Sequence, residues 1–368
     1  MTRDKPAILV ITNLEDVHSR AVIWALRQAG YDPAIFGLSH FPADVAASIH
    51  VGRSSQAEDW QSFDAQLFAR AFDVAWYRRR PVVVPSAELS PADVKFVRAE
   101  TERFLHSAVA SIEAKLWVNS PEARTRADDK VRQLRVARSL GFAIPETLVS
   151  NSPRDVRAFV SRHRGQVVHK AFIPMSWKDG QGGSSHAHTQ LLPPESELRD
   201  DEIALCPGIY QQAIPKRHEL RVTVFGDEVH ALLIESQKDR PTSDWRIDVN
   251  LGLIDCRSRA LDAATAERCR RLCRALGLAF GAIDLIVAPS GETIFIEVNE
   301  AGNFLFYDSL EPGFGMLQAF CAFLAGDGGD VGRFPRFQDF LKSDAFKWQP
   351  KALTGHQQDH KRRWVSDE

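Results

Sequence analysis

The chain has 368 residues, enough for two or three domains with a sizeable core. Its 46 basic and 48 acidic residues leave it close to neutral, which argues against a dedicated nucleic-acid-binding protein, because such proteins usually carry a strongly basic face. No apolar run reaches the roughly 18 residues of a membrane helix, and the five scattered cysteines are typical of reduced thiols in a cytoplasmic protein.

The N-terminal segment predicts an α/β domain. Residues 7–12 form a continuous apolar run, typical of a strand buried on both faces. Residues 18–30 carry helical apolar spacing closed by a glycine, and residues 33–37 predict the next strand. A β-α-β unit therefore begins the chain.

Three arginines follow another predicted strand at residues 71–77. They include Arg78 and Arg79 and would suit an acidic partner, although an ordinary solvated run fits equally. Residues 91–116 predict a long amphipathic helix, and a short strand follows it. We place the end of the N-terminal domain at residue 120.

Two lysines mark the next segment. Lys130 lies in a helix predicted over residues 122–140. Lys170 lies within the predicted strand 166–172, among apolar side chains, where an ammonium group needs an anionic partner. The Gly- and Ser-rich loop 176–185 offers backbone N–H groups to a phosphate, but it lacks the Walker spacing, and a flexible surface loop fits equally.

A hairpin over residues 219–234 places Glu219 and Arg221 on one face, because alternate residues of a strand share a face. A second hairpin, over residues 284–299, brings Asp284 of its first strand near Glu297 and Asn299 of its second. Two carboxylates and an amide oxygen suit Mg²⁺ that also binds phosphate. A surface hairpin with solvated acids is the alternative.

This order of parts resembles an ATP-grasp ligase, and most closely the graspetide, or microviridin-type, maturases that cross-link ribosomally made peptides. The resemblance is carried by residues 75–79, 117–121, 145–148, 218–224, 244–246 and 297–306. It implies an ATP-grasp fold of the α+β or α/β class, with ATP between two sheet-containing subdomains. The implied domains are an N-terminal α/β domain (1–120), the ATP-grasp domain (121–328, with subdomains at about 150–215 and 216–328) and a tail (329–368) that matches nothing.

The resemblance also implies ATP and two Mg²⁺ ions as cofactors. The matching nucleotide-binding residues are Lys130 and Lys170 for the phosphates, Gln211, Gln212, Ala213 and Ile214 for adenine, Glu219 for the ribose, and Arg221 for the transferred phosphate. Asp284, Glu297 and Asn299 match the metal ligands, with Glu297 in the bridging position. Arg221, Arg246 and Lys170 are expected to act in catalysis.

The implied substrate is a precursor peptide with a leader and an acidic core. We expect Arg78, Arg79 and Arg246 to help place its carboxylates, because a guanidinium can hold a carboxylate in a bidentate fork. The expected reaction phosphorylates an Asp or Glu side chain, which a Ser, Thr or Lys side chain then attacks to form an ester or an amide. Neither a nucleic acid nor a membrane is an expected partner, and relatives in this family are commonly homodimers.

Two alternatives remain open at this point. One is an ATP-grasp ligase that joins a free amino acid or a small peptide to a carboxylate, as in ribosomal-protein glutamylation or glutathione synthesis. The other is a non-catalytic peptide-binding module with an inactive nucleotide site. A precursor peptide encoded beside the gene favours the maturase, and failure to release phosphate from ATP favours the module.

Overall fold

The computed structural model of the protein describes residues 5–13, 15–37, 41–43, 48–49, 71–80, 83–173, 176–178, 184–186, 189–237, 254–311, 313–327 and 330–347. Its strands are β1 (Ile8–Ile11), β2 (Ala34–Phe36), β3 (Phe41–Pro42), β4 (Phe72–Tyr77), β5 (Val83–Val84), β6 (Ala114–Val118), β7 (Thr147–Ser150), β8 (Val167–Lys170), β9 (Ser176–Lys178), β10 (Ser184–His186), β11 (Gln190–Leu191), β12 (Gly208–Gln212), β13 (His218–Phe225), β14 (Glu228–Ile234), β15 (Cys256–Ser258), β16 (Phe280–Val287) and β17 (Thr293–Asn299). Its α-helices are α1 (Val17–Gln28), α2 (Pro91–Ala110), α3 (Pro121–Ala127), α4 (Lys130–Ser139), α5 (Pro153–Arg162), α6 (Asp200–Leu205), α7 (Ala263–Ala275), α8 (Phe306–Leu310), α9 (Met316–Ala325), α10 (Phe337–Lys342) and α11 (Asp344–Lys347). Across these ranges, no helix combines the length and the apolar character needed to span a lipid bilayer.

These elements form two compact units, and neither is one continuous piece of chain. The first comprises Met1–Arg126, Leu278–Phe280 and Glu300–Glu368, and the second comprises Ala127–Gly277 and Gly281–Asn299. The chain thus returns briefly to the first unit before β16 continues in the second. The domain boundaries drawn from the sequence at residues 120 and 328 stay predictions.

A parallel four-stranded sheet, ordered β2-β1-β4-β6, is the centre of the first unit. Every residue of β1 is buried, as its unbroken apolar run predicts. The connection from β1 to β2 runs through α1, because parallel neighbours need a crossover connection. Asp16 begins that helix, and its carboxylate accepts a hydrogen bond from the Ser19 N–H at 2.8 Å.

Part of the C-terminal segment, which matches nothing in the resemblance described above, packs on α1. The Phe340 ring of α10 lies 5.6 Å from the Trp24 ring, measured between centroids, and Phe340 is fully buried. The Arg20 guanidinium donates to the backbone carbonyls of Ala345 and Phe346. The described residues after 329 therefore extend the core of the first unit.

The second unit contains two main sheets. The four-stranded one has the order β11-β8-β12-β7, with antiparallel neighbours, and the buried residues of α5 pack against it. The five-stranded one has the order β15-β14-β13-β16-β17, with α7 against β13 and β14 and with α4 against β17. All eight residues of β16 are buried, which agrees with its place inside the sheet.

The predicted helix over residues 122–140 is two helices in the structure, α3 and α4. The break follows from Asp129, whose carboxylate caps α4 by accepting the Arg132 N–H at 3.0 Å. Lys130 consequently occupies the first position of α4 rather than a helix interior. The helix predicted over 91–116 ends earlier, at Ala110, because the following apolar residues join the parallel sheet as β6.

Asn119 connects three stretches of the first unit through a fully bonded side chain. It is 1% exposed. Its Oδ1 accepts the N–H groups of Ala279 and Phe280 at 2.7 and 2.9 Å. Its Nδ2 donates to the carbonyls of Phe280 and Glu300 at 2.7 and 2.8 Å. The Asn119 side chain thereby connects the end of β6 to Phe280, which begins β16, and to Glu300, which follows β17.

We expect Asn119→Ala to lower the free energy of unfolding by about 3 kcal/mol, because four backbone groups lose their partner and the two bonds to Phe280 are buried. Urea titration followed by circular dichroism measures the change. Asn151→Ala is the control, since the Asn151 amide is exposed and makes one long hydrogen bond, 3.4 Å, to the Ala204 carbonyl. Equal stabilities of the two variants would contradict this account of Asn119.

Candidate active site

The three predicted metal ligands lie together on β16 and β17. Asp284 is directly opposite Glu297 in the antiparallel pair. The Nδ2 of Asn299 lies 3.3 Å from Oδ2 of Asp284 and 3.4 Å from Oε1 of Glu297. A β-bulge begins immediately after Asp284, and bulges re-aim side chains near functional sites. Two carboxylates and one amide thus converge on one face of this hairpin.

A cation accompanies each carboxylate. The Nη1 of Arg221 donates to both oxygens of Asp284, at 2.8 and 2.9 Å. The Nζ of Lys130 lies 3.1 Å from Oε2 of Glu297. Like charges on opposite residues of paired strands destabilise a sheet, so these cations offset the repulsion between Asp284 and Glu297. The structure therefore brings these four predicted residues into one cluster.

This donor set fits Mg²⁺ bound together with phosphate. In the described ranges there is no group of three or more His, Cys, Asp or Glu side chains that could hold a metal ion alone. Asp284, Glu297 and Asn299 supply fewer charges than such a cage, and Mg²⁺ usually takes one or two carboxylates and completes its shell with water and phosphate oxygens. A half-turn of the Asn299 amide would present its oxygen to the ion.

Lys170 is held across three strands of the four-stranded sheet. Its Nζ donates to Oε1 of Gln211 at 2.7 Å, and Nε2 of Gln211 donates to the Thr147 hydroxyl at 3.0 Å. These residues belong to β8, β12 and β7, which are neighbours in the sheet. The lysine and the first residue of the predicted adenine-binding strand are therefore in direct contact.

The rest of the predicted adenine-binding stretch leaves the sheet where β12 ends. The Gln212 N–H donates to the Glu146 carbonyl, and the Ala213 N–H to the Gln166 carbonyl, each at 2.9 Å. Ile214 follows and is half-buried. Gln212 ends β12, and Ala213 and Ile214 lie in the link to β13, which connects one sheet of the unit to the other.

Glu219, the predicted ribose ligand, lies two residues before Arg221 on β13, and both side chains are buried. The Nζ of Lys216 lies 3.1 Å from Oε1 of Glu219. Burial raises the pKa of Glu219, and the nearby Lys216 opposes that rise. Glu219 and Arg221 share a face of the strand, as the sequence pattern predicts.

Arg78, a predicted peptide-binding residue, is buried in the first unit. Its side chain is 1% exposed, and its Nε lies 3.1 Å from Oδ2 of Asp16. Nη1 donates to the carbonyls of Ala301 and Gly302 at 2.6 and 3.0 Å, and Nη2 to Oδ1 of Asn303 at 2.6 Å. These contacts are those of an internal brace for the loop that follows β17. A direct role of Arg78 in peptide binding stays a prediction.

The surroundings of that brace keep Asp16 ionised. Burial by itself would raise the pKa of Asp16, but the positive charge of Arg78 and the neighbouring His18 bring it to about 2. Burial lowers the pKa of Arg78 to about 10. Arg79 is 39% exposed and also contacts Asp16, at 2.9 Å. It is thus the more accessible of the two predicted peptide-binding arginines in the first unit.

Other parts of the predicted site lie outside the described residues. These are Arg246, with its neighbours Asp244 and Trp245, and residues 179–183 of the Gly-rich loop. The flanks of that loop, β9 and β10, form an antiparallel pair. The peptide-placing and catalytic roles of Arg246 stay predictions.

Sequence reasoning missed Gln133, which is 1% exposed. Its side chain makes two hydrogen bonds to the backbone of Val298, the residue between Glu297 and Asn299. A signal was present, because Gln133 lies on the buried stripe of α4 together with Ala137. A polar residue on such a stripe needs a hydrogen-bonding partner.

No protein-family model matches the chain, and no curated protein matches it. Solved structures do. A RiPP-associated ATP-grasp ligase from Chryseobacterium gregarium, in complex with ADP and a leader and core peptide, is 26% identical, with a TM-score of 0.75 over 90% of this chain and 99% of its own. The macrocyclase MdnC from Microcystis aeruginosa MRC, bound with the precursor peptide MdnA, is 24% identical, with a TM-score of 0.73 over 87% of this chain and 100% of its own.

A third solved structure is the ATP-grasp ligase PsnB, complexed with a phosphomimetic variant of its minimal precursor, Mg and ADP. It is 19% identical, with a TM-score of 0.66 over 88% of this chain and 99% of its own. The ATP-grasp fold expected from the sequence is confirmed, and so is the resemblance to peptide-maturing ligases of this fold.

We expect Glu297→Gln to abolish phosphate release from ATP while the protein stays folded. The change keeps the shape of the side chain but removes the charge that the predicted metal site would need, and such charge stabilisation is worth several kcal/mol. Phosphate release at saturating Mg²⁺ and the melting temperature are the two measurements. Glu292→Gln, in the exposed turn of the same hairpin, is the control. Wild-type rates for Glu297→Gln would rule out the metal assignment.

We expect Lys170→Met to weaken ATP binding with little loss of stability. The methionine retains most of the apolar stem but removes the charge that would face the phosphates. Calorimetric titration with ATP and thermal unfolding separate the two effects. Lys115→Met, at a largely exposed lysine of the first unit, is the control. Unchanged ATP affinity with a collapsed melting temperature would make Lys170 a structural residue.

Proposed function

We propose that this chain is an ATP-grasp ligase that activates Asp or Glu side chains of a ribosomally made precursor peptide and cross-links them to other side chains of that peptide. The observation that carries the proposal is the cluster of Asp284, Glu297 and Asn299 with Arg221 and Lys130. The fold is shared, over nearly the whole chain, with a RiPP-associated ATP-grasp ligase.

The reaction needs activation because a carboxylate is a poor electrophile. Its oxygen would attack the γ-phosphorus of ATP, the bond to the bridging oxygen would break, and ADP would leave behind an acyl phosphate. A hydroxyl or amine of the same peptide would then attack the acyl carbon, lose its proton, and displace inorganic phosphate. The net change is one ATP to ADP and phosphate for each ester or amide formed.

The residues of this chain supply positioning and electrostatics for that reaction, as phosphoryl transfer requires. Arg221 lies beside Asp284 and would exchange this contact for the transferred phosphoryl group. Lys130 and Lys170 would hold the other phosphates. When bound at Asp284, Glu297 and Asn299, Mg²⁺ would offset the charge of the phosphates.

The nucleoside would lie along the link from β12 to β13. Gln211, Gln212, Ala213 and Ile214 provide the stretch for adenine. Glu219 follows as the acceptor for the ribose hydroxyls, and Lys216 beside it keeps a positive charge next to the carboxylate. Burial of Glu219 limits competition from water for those hydrogen bonds.

The substrate would be a peptide with a leader and an acidic core. The Chryseobacterium ligase was solved with a leader and core peptide, and MdnC with its precursor. Arg79, which is partly exposed, and Arg246 would attract the core carboxylates. We further propose that the protein acts in the cytoplasm as a homodimer.

The test uses short acidic peptides encoded beside the gene, incubated with the full chain, ATP and Mg²⁺. Mass spectrometry should show loss of one water for each cross-link, with an equal amount of phosphate released. Phosphate release with free amino acids but not with any such peptide would favour the small-substrate ligase. Absence of phosphate release with every substrate would favour the non-catalytic binding module.

We expect Arg246→Ala to slow cross-linking by about 10- to 100-fold, the loss of one charge-assisted hydrogen bond, while ATP affinity changes less than about twofold. Peptide turnover and calorimetric ATP titration are the two measurements. Arg257→Ala is the control, because Arg257 is an exposed arginine paired with Glu235 at 2.9 Å. Equal losses of turnover and ATP affinity in Arg246→Ala would count against a substrate role.

A further inference from the structure

The strand that carries two of the metal ligands is an edge strand. β17 is last in the order of its sheet, so the backbone groups that point away from β16 need partners elsewhere. One such partner is the Ala143 carbonyl, in the connection after α4, which accepts the Phe295 N–H at 2.9 Å. A second partner lies closer to the metal ligands and is a side chain.

That side chain is Gln133, which binds both backbone groups of Val298. Its Oε1 accepts the Val298 N–H at 3.0 Å, and its Nε2 donates to the Val298 carbonyl at 2.8 Å. The amide therefore pairs with the edge as another strand would. Val298 is the single residue between Glu297 and Asn299, so this pair of bonds fixes the backbone from which both ligands project.

The same amide also bonds to a second segment of the chain. Its Nε2 also donates to the carbonyl of Ala127, the last residue of α3, at 2.7 Å. Both hydrogens of the NH₂ group are then in use, and Gln133 is almost completely buried. A buried polar group that is fully satisfied holds one arrangement, because any displacement leaves donors or acceptors without partners.

Gln133 also connects the metal ligands to a phosphate-binding lysine. Lys130 precedes it by three residues on α4, so the two side chains lie on the same face of the helix. The Nζ of Lys130 lies 3.1 Å from Oε2 of Glu297. A shift of α4 along β17 would change the separation between this ammonium group and the ligands, and the amide of Gln133 opposes such a shift.

We propose that Gln133 is a positioning residue that sets Lys130, Glu297 and Asn299 at the separation needed to bind Mg²⁺ and nucleotide phosphate together. It contacts neither the ion nor the nucleotide and acts through Val298. This inference rests on the proposed function, since it assumes that the cluster binds a magnesium nucleotide. A purely structural role, as a cover for an edge strand, predicts a loss of stability and no specific effect on Mg²⁺.

The test measures how binding of a non-hydrolysable ATP analogue depends on Mg²⁺ concentration, by calorimetry on the full chain. Gln133→Met keeps the length of the side chain and removes both hydrogen-bonding groups. We expect the half-saturating Mg²⁺ concentration to rise about 10- to 100-fold, the usual effect of removing a residue that orients metal ligands. Gln133→Glu keeps an acceptor for the Val298 N–H but places an oxygen against two carbonyls, so we expect a shift in the same direction.

Gln318→Met is the matched control. Gln318 lies in the first unit, and its Nε2 likewise donates to two backbone carbonyls, those of Phe334 at 2.8 Å and Val331 at 3.4 Å. It should lower the melting temperature without changing the Mg²⁺ dependence. The positioning role is overturned if Gln133→Met shows the same Mg²⁺ dependence as the control. If Gln133→Met does not fold, Gln133→Glu is compared with the control in the same way. If the wild-type chain binds no analogue at any Mg²⁺ concentration, that result contradicts the proposed function itself.

Discussion

Two carboxylates that face each other on neighbouring strands repel, and the second unit depends on how that repulsion is balanced. Asp284 and Glu297 occupy opposite positions of β16 and β17, with Arg221 beside the first and Lys130 beside the second. A buried ion pair contributes little net stability, because desolvation of both charges opposes their attraction. The buried pair of Asp284 and Arg221 is therefore a weak source of stability.

The first unit contains a comparable arrangement with a different consequence. Arg78 and Asp16 are nearly excluded from water, and the remaining donors of the guanidinium go to a short loop just after β17. Arg124 adds a second contact to this loop through Glu300, at 3.0 Å. Buried guanidinium groups thus fix the backbone that follows the predicted metal ligands, and the amide of Gln133 fixes the backbone between Glu297 and Asn299.

The sequence predicted the parts of this fold that depend on local pattern. Buried apolar runs gave β1 and β16, and the spacing of two residues put Glu297 and Asn299 on one face. Contacts between segments that are distant in the sequence could not be predicted in this way. Gln133 and Val298 are separated by 165 residues, and a helix pattern can show that a glutamine is buried without naming its partner. The burial of Arg78 was not predicted either, because a run of arginines does not reveal which of them is solvated.

Helix ends and the C-terminal segment show the same limit. Asp129 caps α4 in the structure, yet aspartate is also acceptable within the polar face of a longer helix, so the break after Ala127 was not predicted. Phe340 packs on Trp24 across more than three hundred residues of sequence. An amphipathic pattern predicts that the apolar face of a helix will be covered, but it does not identify the segment that packs on that face.

The discontinuity of the second unit constrains how this protein can be divided or recombined. A fragment spanning residues 127–277 includes β8, β12 and β13 but lacks Gly281–Asn299, the stretch that carries Asp284, Glu297 and Asn299. Such a fragment would leave β13 as an exposed sheet edge where β16 normally pairs, and an unpaired hydrophobic edge promotes aggregation. Exchange of the second unit between related proteins would therefore have to carry residues 127–299 together, with one crossover point before Ala127 and the other between Asn299 and Glu300.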